Sequence, residues 1–171
     1  MQTFLPYPDF EETAQALDPK RLGKQRVEAF QCLRAHLVPG HGWRHHPASK
    51  MWLGHDEALT AYALAVCRVW TDKGHADTVA EKVIAELGYE PRTQPELRVA
   101  DALPWWLGDE AFHTSHRSAL VRKDPGWYRP LFPDVPDDLP YVWPPPEPPA
   151  QDRAQDRGQD RGQDRGGRTE P

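Results

Sequence analysis

The stretch LDPKRLGKQRVEAFQCLRAHLVPG, residues 17–40, carries the clearest helix signals in the chain. It opens with Asp18, a side-chain acceptor suited to a helix N-cap, and Pro19, which suits the first helical position. Its apolar residues then recur at three- and four-residue steps: Val27, Phe30, Leu33 and Leu37. This spacing predicts an amphipathic helix from Asp18-Pro19 to about Leu37, with its apolar face on a core.

Three further helices are predicted on the same grounds, over about residues 49–74, 76–87 and 109–123. Gly88 is suited to end the third helix, and Asp109 to cap the fourth. No stretch alternates apolar and polar residues convincingly, as a half-buried strand would. We therefore expect an all-α fold, a compact bundle of about four helices with long proline-rich connections.

The C-terminal end has a different composition. From Gln151 a Gln-Asp-Arg-Ala unit is followed by Gln-Asp-Arg-Gly repeats, with no apolar side chain larger than alanine. Such a sequence cannot bury enough apolar surface to offset the entropy of ordering. We expect one helical domain over residues 1–149, closed by the strap-like segment 140–149, and a disordered tail over residues 150–171.

Length and composition narrow the functional classes. The chain of 171 residues fits one domain, and it holds no apolar run long enough for a membrane span. Cys32 and Cys67 each lie within an apolar helical pattern, which indicates reduced core thiols. We expect a cytoplasmic monomer without a membrane partner, a cofactor or a metal.

Charge is unevenly distributed along the chain. The formal net charge of −5 argues against an indiscriminate nucleic-acid binder. Between Asp18 and Lys50, however, seven lysines and arginines face only two carboxylates. This segregation predicts a cationic cleft on an acidic body, or else ordinary solvated helix faces.

The first predicted helix carries a polar stripe. Four of its residues are spaced i, i+3, i+4 and i+7: Arg21, Lys24, Gln25 and Glu28. This spacing aligns their side chains along one face. A carboxylate among cations can stabilise a cationic transition state or move a proton. The pattern alone favours the alternative, an ordinary solvated face with a Lys24–Glu28 pair.

Two other segments mix cations with aromatic rings. Residues 42–52 hold Arg44, His45, His46 and Lys50 between Trp43 and Trp52 at a loop-to-helix junction. Residues 122–129 hold Arg122, Lys123 and Arg129 around the adjacent rings of Trp127 and Tyr128. Basic groups can bind phosphates, and exposed rings can stack on unpaired bases. The alternative is that these rings belong to the core or clamp the proline-rich segment.

Histidines raise the possibility of a metal. His113 and His116 lie i, i+3 on the fourth predicted helix, and four more could join them: His45, His46, His55 and His75. Neither an H-E-x-x-H nor a C-x-x-C motif is present. A histidine-metal hydrolase is therefore the weakest of the alternatives.

With these residues identified, the chain resembles the pyrimidine-dimer DNA glycosylase family, which includes a viral endonuclease V. The resemblance covers most of residues 1–136 and is carried by three segments: Leu22–Glu28, residues 46–75 and Asp124–Tyr128. It implies an all-α domain that grips damaged double-stranded DNA and acts without a cofactor. It also implies that Glu28 assists catalysis and that Trp127 and Tyr128 contact DNA, while Arg21 and Arg26 hold phosphates.

In that family an N-terminal amine attacks C1′ of the damaged nucleotide's sugar and forms an imine. The family's amine belongs to a threonine that is exposed when the initiator methionine is removed. Here the second residue is Gln2, whose bulk normally prevents that removal. The resemblance therefore implies that the nucleophile is the amine of Met1, or a lysine such as Lys24 or Lys50 in its place. The leading hypothesis is thus a DNA glycosylase/AP lyase with Glu28 and Met1 as catalytic residues. The second is a non-catalytic nucleic-acid-binding module on the same scaffold.

Overall fold

The computed structural model describes residues 2–145. Met1, the expected domain boundary near residue 149 and the predicted disordered tail lie outside the described residues. Within residues 2–145, no helix combines the length and the apolar character needed to cross a bilayer.

Over its described length the chain forms helices and no strand, so the predicted all-α class is confirmed. The helices are α1 (Phe10–Ala16), α2 (Pro19–Leu37), α3 (Pro47–Lys50), α4 (Asp56–Asp72), α5 (Val79–Leu87), α6 (Gln94–Val99), α7 (Glu110–Lys123) and α8 (Pro125–Tyr128). The longer helices α2, α4, α5 and α7 correspond to the four predicted ones.

The prediction of one helix over residues 49–74 is wrong, because the chain turns between α3 and α4. Gly54 adopts φ +87° in this turn, a left-handed conformation that most residues avoid. The Trp106 indole also donates to Met51 O at 2.9 Å, so the turn is held by a distant tryptophan. The continuous apolar stripe of the sequence conceals this break.

Helix α2 is central to the packing and lies against α4 and α5. A Cβ atom at Gly23 would come within 3.2 Å of the Trp70 ring, so glycine permits the close approach of α4. The buried side of α2 includes Leu22, Ala29 and Leu33. The predicted apolar face is therefore wrong at its ends: Val27 and Leu37 are 46% and 42% exposed.

The N-terminal segment, residues 2–6, runs through the interior without regular structure. Side chains satisfy its backbone groups: Phe4 N donates to Gln25 Oε1 at 2.8 Å, and the Tyr62 hydroxyl donates to Phe4 O at 2.8 Å. Trp52 Nε1 donates to Thr3 Oγ1 at 2.9 Å. A buried polar backbone needs such partners.

Two histidines of α7 hold the next residue of this segment. Leu5 N donates to His116 Nδ1 at 3.0 Å, and His113 Nδ1 donates to Leu5 O at 2.8 Å. Gly108 N donates to His113 Nε2, which assigns the proton of that ring to Nδ1. Burial lowers the pKa of both rings, that of His116 to about 3, so both are neutral.

After α8 the chain returns across α7 as an extended strap, residues 137–145. Leu139 N donates to Ser118 Oγ at 3.0 Å, and Val142 N donates to Ser115 Oγ at 3.1 Å. Arg122 Nη1 donates to Asp137 O at 2.7 Å. The strap is thus fixed to α7 by side chains of that helix.

Both cysteines are buried and form no disulfide. Burial raises the pKa of Cys32 to about 11 and that of Cys67 to about 12. The two thiols are therefore protonated at neutral pH, as expected of core residues.

Candidate active site and nucleic-acid interface

A cavity of about 480 Å³ opens between α2, the N-terminal segment and the strap. We call it the Glu28 cavity. Its lining residues are Gln2, Phe4, Lys20, Arg21, Lys24, Gln25, Glu28, His46, Lys123, Tyr141 and Trp143. The whole predicted polar stripe of α2 therefore lies at one place.

Glu28 is the carboxylate of this cavity. Its Oε2 atom accepts from Gln25 Nε2 at 3.0 Å, and its Oε1 atom lies 3.9 Å from Lys24 Nζ. The side chain is 20% exposed, which leaves it reachable from the cavity. Because Gln25 holds one oxygen, the carboxylate has a defined orientation.

Gln25 is completely buried and cannot contact a nucleic acid directly, contrary to the predicted DNA-binding role. Its Oε1 atom accepts from Phe4 N at 2.8 Å and lies 3.0 Å from the Tyr62 hydroxyl. Its Nε2 atom donates to Glu28. Gln25 is therefore a link that fixes the position of the N-terminal segment relative to the carboxylate.

The lining carries four cations and one carboxylate. Lys20, Lys24 and Lys123 contribute flexible ammonium groups. Arg21 is already engaged, because it donates to Asp18 Oδ2 at 3.0 Å and to Lys123 O at 3.1 Å. The excess of positive charge suits a phosphodiester, with the three lysines as the available partners.

His46 caps α3 at the edge of the cavity. Its Nδ1 atom accepts from Ala48 N at 3.1 Å, so Nε2 carries the ring proton when the ring is neutral. Burial lowers the pKa of His46, and the nearby Glu28 only partly opposes this. The ring is therefore neutral at pH 7, and Nε2 is its donor.

A larger cavity of about 610 Å³ lies between α1, α4 and α6. Its carboxylates are Asp9, Glu11, Glu12 and Glu90. Its two cations, Arg68 and Arg92, pair with Glu11 and Glu57 respectively. The net negative charge of this lining makes it unsuitable for DNA.

The structure does not bring Arg26 to the Glu28 cavity. Its guanidinium pairs with Asp77 and lies over the Trp70 ring, 4.3 Å from the centroid. The side chain is only 13% exposed. Arg26 therefore fastens α2 to the start of α5 instead of contacting phosphate, because its position on the helix faces that neighbour.

The other predicted cations fall into two groups. Arg44, His45 and Lys50 are exposed around α3 but do not line the cavity. Arg122 donates to the strap, and Arg129 donates to Val135 O at 2.7 Å and Asp137 Oδ2 at 3.1 Å. Only Lys123 of the second basic segment lines the cavity.

The expected exposed pair of rings at residues 127 and 128 is wrong for Tyr128, which is completely buried. Its hydroxyl donates to Asp18 Oδ2 at 2.5 Å and accepts from Asp18 N at 3.0 Å. Trp127 is 43% exposed, and its indole donates to Ala16 O. Neither residue lines the Glu28 cavity.

Several lining residues were missed in the sequence: Gln2, Phe4, Lys20, Tyr141 and Trp143. Lys20 was detectable, because it precedes Lys24 and Glu28 by four and eight residues on the same helix face. Tyr141 and Trp143 gave no such signal, since their place depends on how the strap docks on α7.

The histidines do not form a metal centre among the described residues, where no three His, Cys, Asp or Glu side chains converge on one point. His113 and His116 serve the backbone of Leu5, and His75 stacks on Trp70 at a centroid distance of 3.9 Å. These contacts account for three of the histidines proposed as ligands.

Comparison with known proteins supports the predicted family. No curated protein and no solved structure gave a significant match. A family model described as pyrimidine dimer DNA glycosylase matches residues 1–82, which include Lys24, Glu28 and His46. The matched region does not include Lys123 or the strap. Over residues 1–82 this chain is therefore similar to the pyrimidine dimer DNA glycosylase family, as the resemblance of its first long helix predicted.

Proposed function

We propose that this protein is a DNA glycosylase/AP lyase that acts on pyrimidine dimers or other damaged DNA. The observation that carries the proposal is the Glu28 carboxylate, held by Gln25 in a cavity with four cations. The family match over residues 1–82 supports the same reaction class. The substrate is damaged double-stranded DNA, and no cofactor is required for the chemistry.

The reaction needs an unprotonated amine near C1′ of the target sugar. As the amine nitrogen bonds to C1′, the glycosidic bond breaks and the departing base takes up a proton. The attached nitrogen then loses a proton and the C1′–O4′ bond opens, with O4′ taking up a proton, which gives the imine. The imine permits β-elimination, in which C2′ loses a proton and the 3′ phosphate leaves. Positive charge develops at C1′ during the first step, and an anion such as Glu28 stabilises it.

Two amines are candidates for the nucleophile. One is the amine of Met1, whose neighbour Gln2 lines the Glu28 cavity. The other is Lys24, whose Nζ atom lies 3.9 Å from Glu28 Oε1. Lys50, the other lysine suggested by the sequence, is exposed and outside the cavity.

Phosphate contacts would come from Lys20 and Lys123, and from Lys24 when Met1 supplies the nucleophile. A target base must leave the stack before C1′ is accessible, which costs a few kcal/mol. Counterion release upon phosphate binding offsets part of this cost. Binding should therefore weaken steeply as the salt concentration rises.

The proposal is tested by borohydride trapping. The protein is incubated with duplexes that carry a thymine dimer or an abasic site, and borohydride then reduces any imine to a stable adduct. The wild-type protein should give a covalent adduct and a nicked strand. Glu28→Gln should lower the trapping rate by about 100-fold or more, since one charge-stabilising group is removed.

The matched control is Glu81→Gln, which neutralises an exposed carboxylate on α5 outside the Glu28 cavity. This variant should trap as the wild type does. Glu28→Gln should keep its affinity for the damaged duplex within about threefold, because amide and carboxylate have the same shape. An adduct formed equally by Glu28→Gln and wild type would refute the role of Glu28.

Salt-sensitive binding without any adduct would instead support the non-catalytic binding module. That outcome would leave the cationic cavity as a DNA-binding surface and would remove the lyase chemistry. The presence or absence of the covalent adduct in the trapping assay thus distinguishes the lyase from the binding module.

A further inference from the structure

Four rings form a continuous group beside the Glu28 cavity, and the last three of them line it: Trp43, His46, Tyr141 and Trp143. We call this group the aromatic shelf. Trp43 meets His46 edge-on at 5.4 Å between centroids, and His46 meets Trp143 at 6.5 Å with an interplanar angle of 89°. Tyr141 and Trp143 are 5.3 Å apart. Trp43 and Trp143 remain 42% and 37% exposed, so part of each ring is open to a ligand.

The shelf is held in place by hydrogen bonds on both sides. The strap that carries Tyr141 and Trp143 is fixed at Leu139 and Val142 by the hydroxyls of Ser118 and Ser115. His46 is fixed by the amide of Ala48. Rings already restrained by their neighbours lose little further conformational freedom when a ligand stacks on them.

Trp143 of the aromatic shelf differs from the other tryptophans in its position. Trp52 and Trp106 are buried, and Trp70 lies between Arg26 and His75. Trp105 and Trp127 are exposed but do not line the Glu28 cavity. Trp143 is the tryptophan that combines an exposed ring with a place in the lining of the cationic cavity.

The chemistry around the shelf points to a nucleotide as its occupant. Lys20, Lys24 and Lys123 line the same cavity as Trp143 and supply positive charge for phosphate. An aromatic ring beside a phosphate site matches a nucleotide whose base is unstacked.

We propose that the aromatic shelf binds an unpaired nucleobase of distorted DNA by stacking on Trp143, with Trp43 extending the surface. This inference rests on the proposed function, because it names the part of the site that selects distorted over regular duplex. The three lysines then provide affinity for any duplex, and the shelf provides preference for unpaired bases.

The test compares two DNA probes by fluorescence anisotropy with the full-length chain. One probe is a fully paired duplex, and the other carries a short bubble of unpaired bases. Trp143→Ala should bind the bubble about tenfold more weakly than wild type, with less than a twofold change for the paired duplex. Trp143→Phe retains a ring and should recover most of the lost affinity.

Two variants serve as controls. Trp105→Ala removes an exposed indole outside the cavity and should bind both probes as wild type does. Lys20→Ala should weaken both probes equally and reduce the salt dependence of binding by about one phosphate contact. These controls separate base stacking from general electrostatic attraction.

The shelf is refuted if Trp143→Ala binds the bubble as tightly as wild type, or if it weakens both probes by the same factor. Its failure differs from failure of the proposed function. A wild-type protein that forms the borohydride adduct but shows no Trp143 effect keeps the lyase and loses the shelf. A protein that prefers the bubble through Trp143 but forms no adduct keeps the shelf and loses the lyase.

Discussion

Two segments near the end of the described chain each place a tryptophan within two residues of a tyrosine, but they have different roles. In the α8 turn, residues 124–129, Tyr128 is buried and its hydroxyl is bound to Asp18. In the strap, Trp143 stays partly exposed and lines the Glu28 cavity. The α8 turn is bound to the N-terminus of α2, whereas the strap forms part of the Glu28 cavity.

The difference arises from partners distant in sequence. The Tyr128 hydroxyl donates a hydrogen bond to Asp18, which lies 110 residues earlier in the chain. The Asp18 side chain also caps the N-terminus of α2. The strap meets the serine hydroxyls of α7, which accept hydrogen bonds from its backbone, while the Trp143 ring stays partly exposed.

The largest expected difference between the two segments is in how acid affects folding stability. His116 lies beneath the strap, 5.7 Å from the Tyr141 ring, and accepts from Leu5 N. Burial lowers the pKa of His116 from its usual 6.5 to about 3. Between these values the unfolded chain binds one more proton, so stability falls as pH falls below 6.5, by about 1.4 kcal/mol per pH unit at most.

Urea denaturation at pH 7, 6, 5 and 4.5 measures this slope. His116→Asn retains an acceptor for Leu5 N but cannot titrate. We expect it to be less stable than wild type at pH 7. Its free energy of unfolding should also fall less steeply with decreasing pH, by up to about 1.4 kcal/mol per pH unit. His45→Asn, in an exposed loop, should keep the wild-type slope. An unchanged slope in His116→Asn would contradict the assignment.

The α8 turn should respond only at lower pH. Burial alone would raise the pKa of Asp18, but hydrogen bonds from Tyr128 and Arg21 outweigh it and hold the pKa below its usual 3.8. Its contribution is therefore complete above about pH 3.8 and is lost as pH falls below that value.

The next largest effect is expected from Tyr128→Phe. This change leaves Asp18 N without its acceptor and Asp18 Oδ2 without its shortest donor, at a cost of about 2 kcal/mol in the free energy of unfolding. Urea denaturation at pH 7 measures it, with Tyr89→Phe as the exposed control. Equal stability of Tyr128→Phe and wild type would show that the hydroxyl does not clamp the turn.

The smallest effect is expected from Trp127→Ala. Since this ring does not line the Glu28 cavity, its loss should change affinity for the bubble probe by less than about twofold, against about tenfold for Trp143→Ala. Anisotropy under identical salt makes the comparison. If Trp127→Ala proved the more damaging variant, the turn would be the stacking surface and the assignment of the two segments would be reversed.

Much of the helical framework could be predicted because its signals are local. Asp18 and Asp109 cap α2 and α7 as their sequences indicate. The short helices α1 and α6 also carry readable caps, Asp9 and the Thr93–Glu96 capping box, although they were not predicted. The α2 stripe ending at Glu28 followed from spacing alone.

The remainder of the site depends on tertiary contacts that spacing does not encode. Arg26 resembles Lys24 in the sequence, but it is bound to Asp77, 51 residues away. The sequence predicts that Trp143 lies in a strap, but its place in the cavity lining depends on how the strap docks on Ser115 and Ser118. In each case the identity of a distant partner, and not the residue itself, decides exposure.

If the chemistry takes place at the Glu28 cavity, the trapped adduct must form on an amine of that cavity, and its position can be mapped. The borohydride-reduced complex is digested with protease and nuclease, and the modified residue is identified by mass spectrometry. We expect the sugar remnant to be attached to the amine of Met1 or to Lys24. A remnant on Lys50, Lys73 or Lys82, none of which lines the cavity, or no adduct at all, would contradict it.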